Sequence, residues 1–379
     1  MRLLPSTAPV PPAEAPAGRG IPRVVTPPDP WSEPTSTPGP LAVVGAETRK
    51  APQGLSGARE RMTLLGVSAV DGTSRFLDLP VSVDNLGAGW LALSPDGSLL
   101  ASTSLRRAGG NRPAFAGWDV HDLTTGEVTR LRVPGAESLA VSETYEISFS
   151  GDGRHLLTSY SLDGRSGSKD HSLVVWDVET GSSNLAEPAG HYWLPGQATS
   201  PTDISWTRQR NVHTLDLASG TGRHVTTDQD VVEASWSPDG ETLLFLGRNP
   251  RERPGQSPWR LFVRQGDEER RLDVAGIGDL LGWRDATHAV VSDYGPKDAR
   301  VVDVTTGEQE GLNLEADSFV TPLYARDLWS LPIADPVDQP AADDPRWWMN
   351  PELQWIGVGL LLGGLLQVWL VIRRRRERA

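Results

Sequence analysis

The chain has 379 residues, a formal net charge of -13 and no cysteine. The missing cysteine excludes a disulfide framework, thiolate metal sites and a cysteine nucleophile. Removing the +4 of the last seven residues leaves -17 on the remainder, a surface that repels nucleic acid and anionic lipid headgroups.

Residues 1–60 read as a Pro-rich flexible leader, because the first forty hold twelve of the 31 prolines and almost no periodic apolar pattern. Met1 to Pro40 contains no apolar segment long enough for a secretory signal, so export information is expected upstream of Met1. Of the 36 basic residues only Lys50, Lys169 and Lys297 are lysine, a bias that points to a GC-rich bacterial genome.

Residues 61–333 repeat. A Ser-x-Asp-Gly turn recurs at Ser94-Pro95-Asp96-Gly97, Ser150-Gly151-Asp152-Gly153 and Ser237-Pro238-Asp239-Gly240, each between apolar runs. Asp bonds the backbone ahead of it and Gly supplies the positive φ that closes a tight hairpin. A second turn family alternates with the first, at Asp71-Gly72, Asp122 to Gly126, Asp177 to Gly181, Asp216 to Gly220, Gly266-Asp267 and Asp303 to Gly307. Its glycines stand 54, 55, 39, 46 and 41 residues apart. Two hairpins in each period of about 40 to 50 residues are the signature of four-stranded propeller blades.

Inner hairpins are expected near 88–104, 144–160, 190–206, 231–247, 277–292 and 317–333, and outer ones near 61–80, 114–132, 172–185, 210–225, 259–272 and 299–312. The fold class is therefore all-β, a six-bladed β-propeller closed by N- and C-terminal strands. The sequence starts with an outer hairpin and ends with an inner one, so joining the two ends completes the ring and removes its open edges. The alternative is seven blades, if Leu41 to Gly45 contributes a strand.

Two stretches, Trp236-Ser237-Pro238-Asp239-Gly240 and Leu93-Ser94-Pro95-Asp96-Gly97, resemble the repeats of TolB-like propellers. Trp118-Asp119 and Trp176-Asp177 resemble the strand-ending dipeptide of WD40 repeats, although the Gly-His dipeptide of those repeats is missing at the expected place and the spacing is uneven. The resemblance covers residues 61–333 and implies a ring-shaped scaffold that binds proteins or peptides on its faces. It implies no chemistry.

The chain continues with a Pro- and Asp-containing stalk, 334–354, and then an apolar run from Trp355 to Ile372 that only Gln367 interrupts. Eighteen residues at helical rise reach about 27 Å, close to the hydrocarbon thickness of a bilayer. The run shows no polar face of the kind a core helix carries, so a single transmembrane helix over 355–372 is expected, with the lipid bilayer as its partner. Residues 373–379 form a basic tail with Arg373, Arg374, Arg375, Arg376 and Arg378, opposite an acidic N-terminal flank. The positive-inside rule puts that tail in the cytoplasm and the propeller outside. Gly359, Gly363 and Gln367 share one helix face and form a candidate homodimerisation surface.

Catalytic motifs are missing. The histidines at 121, 155, 171, 191, 213, 224 and 288 show no linear metal-ligand spacing, and there is no G-x-S-x-G elbow, P-loop or dinucleotide fingerprint. No catalytic residue, cofactor or metal is assigned, and Asp96, Asp152, Asp239, Asp177 and Asp303 read as turn formers. His191-Tyr192-Trp193 is the candidate partner-binding cluster, since aromatic side chains on propeller loops can anchor peptides; the alternative for Trp193 is an inward strand position. The leading function is a membrane-anchored, non-enzymatic scaffold for a protein, peptide or envelope-polymer partner. The alternative is a propeller enzyme, of lyase or glycosidase type, with its site assembled in the central channel.

Overall fold

The structure, a computed structural model, describes residues 18–53, 57–80, 91–107, 113–133, 147–160, 171–191, 194–196, 203–248, 259–293, 299–315, 320–339, 359–367, 369 and 373–374. Its strands, numbered in chain order, form six four-stranded sheets. Blade 1 takes β1 (Leu41–Gln53), β2 (Gly57–Ser68) and β3 (Ser74–Phe76). Blade 2 is β4 (Leu91–Leu93), β5 (Leu99–Arg107), β6 (Pro113–Asp122) and β7 (Val128–Arg132). Blade 3 is β8 (Ile147–Phe149), β9 (His155–Tyr160), β10 (His171–Asp177) and β11 (Ser183–His191). Blade 4 is β12 (Leu194–Gly196), β13 (Asp203–Arg208), β14 (Asn211–Asp216) and β15 (Thr221–Thr226). Blade 5 is β16 (Asp230–Trp236), β17 (Thr242–Arg248), β18 (Trp259–Gln265) and β19 (Glu268–Arg271). Blade 6 is β20 (Asp279–Trp283), β21 (His288–Ser292), β22 (Arg300–Asp303) and β23 (Gln309–Gly311), after which β24 (Val320–Tyr324) returns to blade 1. The innermost strands touch in the order β24, β4, β8, β12, β16, β20, which is the expected six-bladed propeller.

The middle strands are continuous apolar runs because each lies between two neighbouring blades. In β17, Leu243 and Phe245 join Val212 and Trp236 in one core cluster. Leu244 and Leu246 point the other way and join Leu280 and Val291. Alternate side chains therefore feed two cores, and each fully buried large residue contributes about 1.5–3 kcal/mol.

Ring closure differs from the expectation in one respect. The second strand expected within 317–333 is absent, and a 3-10 turn, Arg326–Ser330, stands in its place. β24 pairs instead with β1, placing Val43 opposite Tyr324 and Val44 opposite Leu323. Blade 1 thus combines one C-terminal strand with three N-terminal ones. Leu41 does begin a strand, but that strand replaces the missing one and the ring stays at six. The segment read as a leader consequently carries β1, and its earlier part lies against the ring: Thr35 bridges Leu77, and Leu41 N donates to the Gly97 carbonyl at 2.8 Å. The start of the segment read as a stalk also rests on blade 1, where Ser74 N donates to Gln339 Oε1 at 2.8 Å.

Among the described residues no helix is long and apolar enough to cross a membrane. Residues 359–367 are helical and rise about 13 Å, less than half a hydrocarbon core. The rest of the run expected to span, 355–358, 368 and 370–372, lies outside the described residues. Where it is described, the helix is not a core element: Leu360 is 74 % exposed, and a Cβ added at Gly359 or Gly363 meets nothing within 4 Å.

Candidate functional site

In an antiparallel blade the connections between strands one and two and between strands three and four emerge on one face. The second-to-third and blade-to-blade connections emerge on the other. The first face includes the two turn families, and the hydrogen bonds show what their carboxylates do. Asp96, Asp152 and Asp239 each accept from the hydroxyl two residues earlier, Ser94, Ser150 and Ser237, at 2.6, 2.6 and 2.5 Å. Each also accepts the backbone N–H two residues later at 3.0 Å. Asp122, Asp216 and Asp303 each accept two backbone N–H groups of their own turns, and Asp177 accepts that of Thr180. The Ser237 hydroxyl and the Glu241 N–H hold the Asp239 carboxyl below its ordinary range. At Asp285, burial raises the pKa, but the bonds from Thr287 and His288 outweigh it and leave the group at about 2. These carboxylates therefore fix turns.

The 3-10 turn Arg326–Ser330 follows the innermost strand β24 at this same face. Arg326 Nη2 donates to the Phe149 carbonyl of blade 3 at 3.1 Å, and Asp327 N donates to the Pro95 carbonyl of blade 2 at 3.0 Å. Trp329 Nε1 donates to the Leu281 carbonyl of blade 6 at 3.1 Å, and Ala325 N to the Ala42 carbonyl of blade 1 at 2.9 Å. One short turn thereby ties four of the six blades together. The innermost strands present Leu91, Ser148, Glu233, Leu281 and Leu323 at half-buried positions. Glu233 is spent on a neighbouring blade, its Oε2 accepting from Leu280 N at 3.0 Å.

Hairpin register brings together residues that linear spacing had kept apart. Ser102 and Asp119 are direct partners across β5 and β6, and His121 Nε2 lies 3.4 Å from Ser102 Oγ. The set contains the residue types of a hydrolase triad, but Ser102 and His121 are each 2 % exposed, so no substrate carbonyl reaches them. Burial pushes His121 below the usual imidazole range, against the opposing charge of Asp119. In blade 4, His213 faces His224 across β14 and β15, with ring centroids 6.0 Å apart, and it stacks on Trp206 at 5.5 Å. Among the described residues no group of three or more His, Asp or Glu is placed to hold a metal ion. Sequence reasoning missed both pairings, although the signal was present. Once the Asp216 to Gly220 turn is fixed, counting back and forward from it sets His213 opposite His224.

At the second face stand the strand ends that flank the longest intervals between strands, Phe76 and Leu91, Arg132 and Ile147, Tyr160 and His171, and Arg248 and Trp259. Of the His191-Tyr192-Trp193 stretch, His191 ends β11 opposite His171, whereas Tyr192 and Trp193 lie outside the described residues. A separate groove of about 580 Å³ lies between blade 6 and the chain after the 3-10 turn, lined by Arg23, Arg284, Glu310, Asn313, Leu331 and Ile333 among others. Arg284 Nη1 stands 3.6 Å from Glu310 Oε2, and the lining holds no histidine to move protons near neutral pH.

No protein-family model matches this chain, and no curated protein is significantly similar to it. Among solved structures it is similar to TolB from Acinetobacter baumannii, with 17% identity, a TM-score of 0.46 and coverage of 75% of this chain and 67% of that one. It is also similar to the propeller domain of the trilobed protease from Pyrococcus furiosus, with 16% identity, a TM-score of 0.45 and coverage of 74% and 82%. An oligogalacturonate lyase in complex with manganese gives 13% identity, a TM-score of 0.42 and coverage of 72% and 85%. The propeller assignment rests on the six sheets and their closure, since likeness at this level carries no activity.

Proposed function

We infer that this chain is a membrane-tethered, non-enzymatic propeller that presents its long-loop face to a protein, peptide or envelope-polymer partner. The observation that carries this reading is the unequal use of the two faces. On the tight-turn face the turn aspartates are spent on their own turns, and Arg326–Ser330 is hydrogen-bonded to neighbouring blades. The strand ends that flank the longest intervals between strands, and His191 at the end of β11, support placing the binding surface on the opposite face. Tethering is supported by the apolar run from Trp355 to Ile372, by the arginines behind it, and by the exposure of the leucines in 359–367. A net charge of -17 ahead of the tail argues against nucleic acid as the partner.

Topology labelling tests this reading, and the lack of native cysteine keeps the background clean. Asp267→Cys places a thiol at an exposed turn tip and Ala379→Cys places one in the tail. In intact cells, with the protein in the membrane fraction, a membrane-impermeant maleimide is expected to label position 267 and spare position 379. Labelling of 379 alone, or absence of the chain from the membrane fraction, would overturn the reading.

A further inference from the structure

The ring closes where β24 meets β1, and that junction is short. Its three registered pairs, Val43 with Tyr324, Val44 with Leu323 and Ala46 with Val320, are interrupted by an irregularity between Val44 and Ala46. By comparison, β9 and β10 keep six consecutive pairs. A second set of contacts reinforces the junction from outside the sheet. Residues 18–25 run as an extended strap between the chain that enters β24 and the chain that leaves it. Val25 N donates to the Glu315 carbonyl at 2.9 Å and Glu315 N to the Arg23 carbonyl at 2.7 Å. On the other side Arg23 N donates to the Ala334 carbonyl, and Ala334 N to the Ile21 carbonyl, both at 2.9 Å. Both bridges are parallel, Pro22 with Ala334 and Val24 with Glu315.

The strap is built into the core as well as hydrogen-bonded. Ile21 is fully buried, in the cluster that joins Val301 and Leu312 of blade 6 to Leu65 and Phe76 of blade 1, together with Trp329. Close approach demands small residues at its start. A Cβ at Gly20 would overlap the Pro332 carbonyl, and one at Gly18 would come within 2.9 Å of the Ala69 carbonyl.

We propose that residues 18–25 are a second latch on the propeller ring: the strap clamps both flanks of β24 while β1 holds its centre, and releasing the strap opens the ring at that junction. The same N-terminal chain that supplies β1 also supplies the strap. β24 therefore leaves the ring only after the strap has let go of Glu315 or Ala334. The remaining five blades are hairpins closed locally within the chain and do not depend on the strap.

Hydrogen exchange on the full chain tests the latch, with Ile21→Asp and Gly20→Val compared with the unsubstituted protein. Each variant is expected to raise exchange about ten- to a hundredfold in 42–46 and 320–329. Exchange in β9 and β14 is expected to stay unchanged. If a variant does not fold, the same readout is taken on a chain folded intact and then cut at a specific protease site placed within residues 26–29. Exchange unchanged at 320–329, or raised equally in every blade, would overturn the proposal in either format.

Discussion

A single glycine shows how tightly the turns are set against their neighbours. Gly97 has φ +77°, and a Cβ there would overlap the Leu41 backbone, whereas Gly307, at φ +82°, has nothing within 4 Å. Gly307→Ala should therefore cost only the left-handed strain, about 1–2 kcal/mol, and Gly97→Ala should cost more because β1 must also move. Urea unfolding of the two variants checks this, and equal losses would contradict the packing at Gly97. The histidines give a pH prediction at the same scale. Burial holds His121, His155 and His213 below the ordinary value of 6.5, so they stay neutral in the fold and take up protons on unfolding. Their stabilising contribution is complete above pH 6.5, falls as the pH drops towards their folded pKa values, and levels off below them. The urea midpoint should therefore fall between pH 7 and pH 5, and His121→Gln should flatten the slope. A midpoint independent of pH over that range would count against the buried neutral state.

At the scale of elements, the 3-10 turn concentrates interactions that tie blades together. Trp329 is 1 % exposed, bonds the Leu281 carbonyl, and lies where a Cβ at Gly282 would meet its Cδ1 at 2.7 Å. Trp329→Ala should cost about 3–5 kcal/mol and Trp329→Phe about 1 kcal/mol, measured by denaturant unfolding. The same region marks where the sequence stopped being legible. Turns announce themselves through local chemistry, so the inner hairpins of blades 2, 3 and 5 and the outer hairpins of blades 2 to 6 were readable from their Asp and Gly turns, whereas the inner hairpins of blades 4 and 6 lack that turn and were placed by the repeat period. The closing strand has no such turn. β24 finds β1 from the far end of the chain, and nothing local specifies that pairing. The polar half of β1, from Glu47 to Gln53, pairs with β2 but shows no apolar alternation. Composition therefore read it as part of a leader. Ile21 and Val25 were hidden among prolines for the same reason: two buried side chains make no period.

For the whole molecule, closure and the division into faces determine what remains free to bind. The candidate cluster at His191 was legible as an aromatic stretch, of which the described residues include only His191, at the end of β11. The Ser102, His121 and Asp119 set was not legible, since it exists only once β5 and β6 are in register, and its burial makes it part of the ring. The claim that recognition belongs to one face is tested most directly by photo-crosslinking in membranes of the producing cell. A photoreactive residue is placed at Arg210 or Asp228 on the long-loop face, or at Ser219 or Asp267 on the tight-turn face, all exposed. The account predicts partner adducts from positions 210 or 228 and none from 219 or 267. Adducts from the tight-turn positions alone would contradict it.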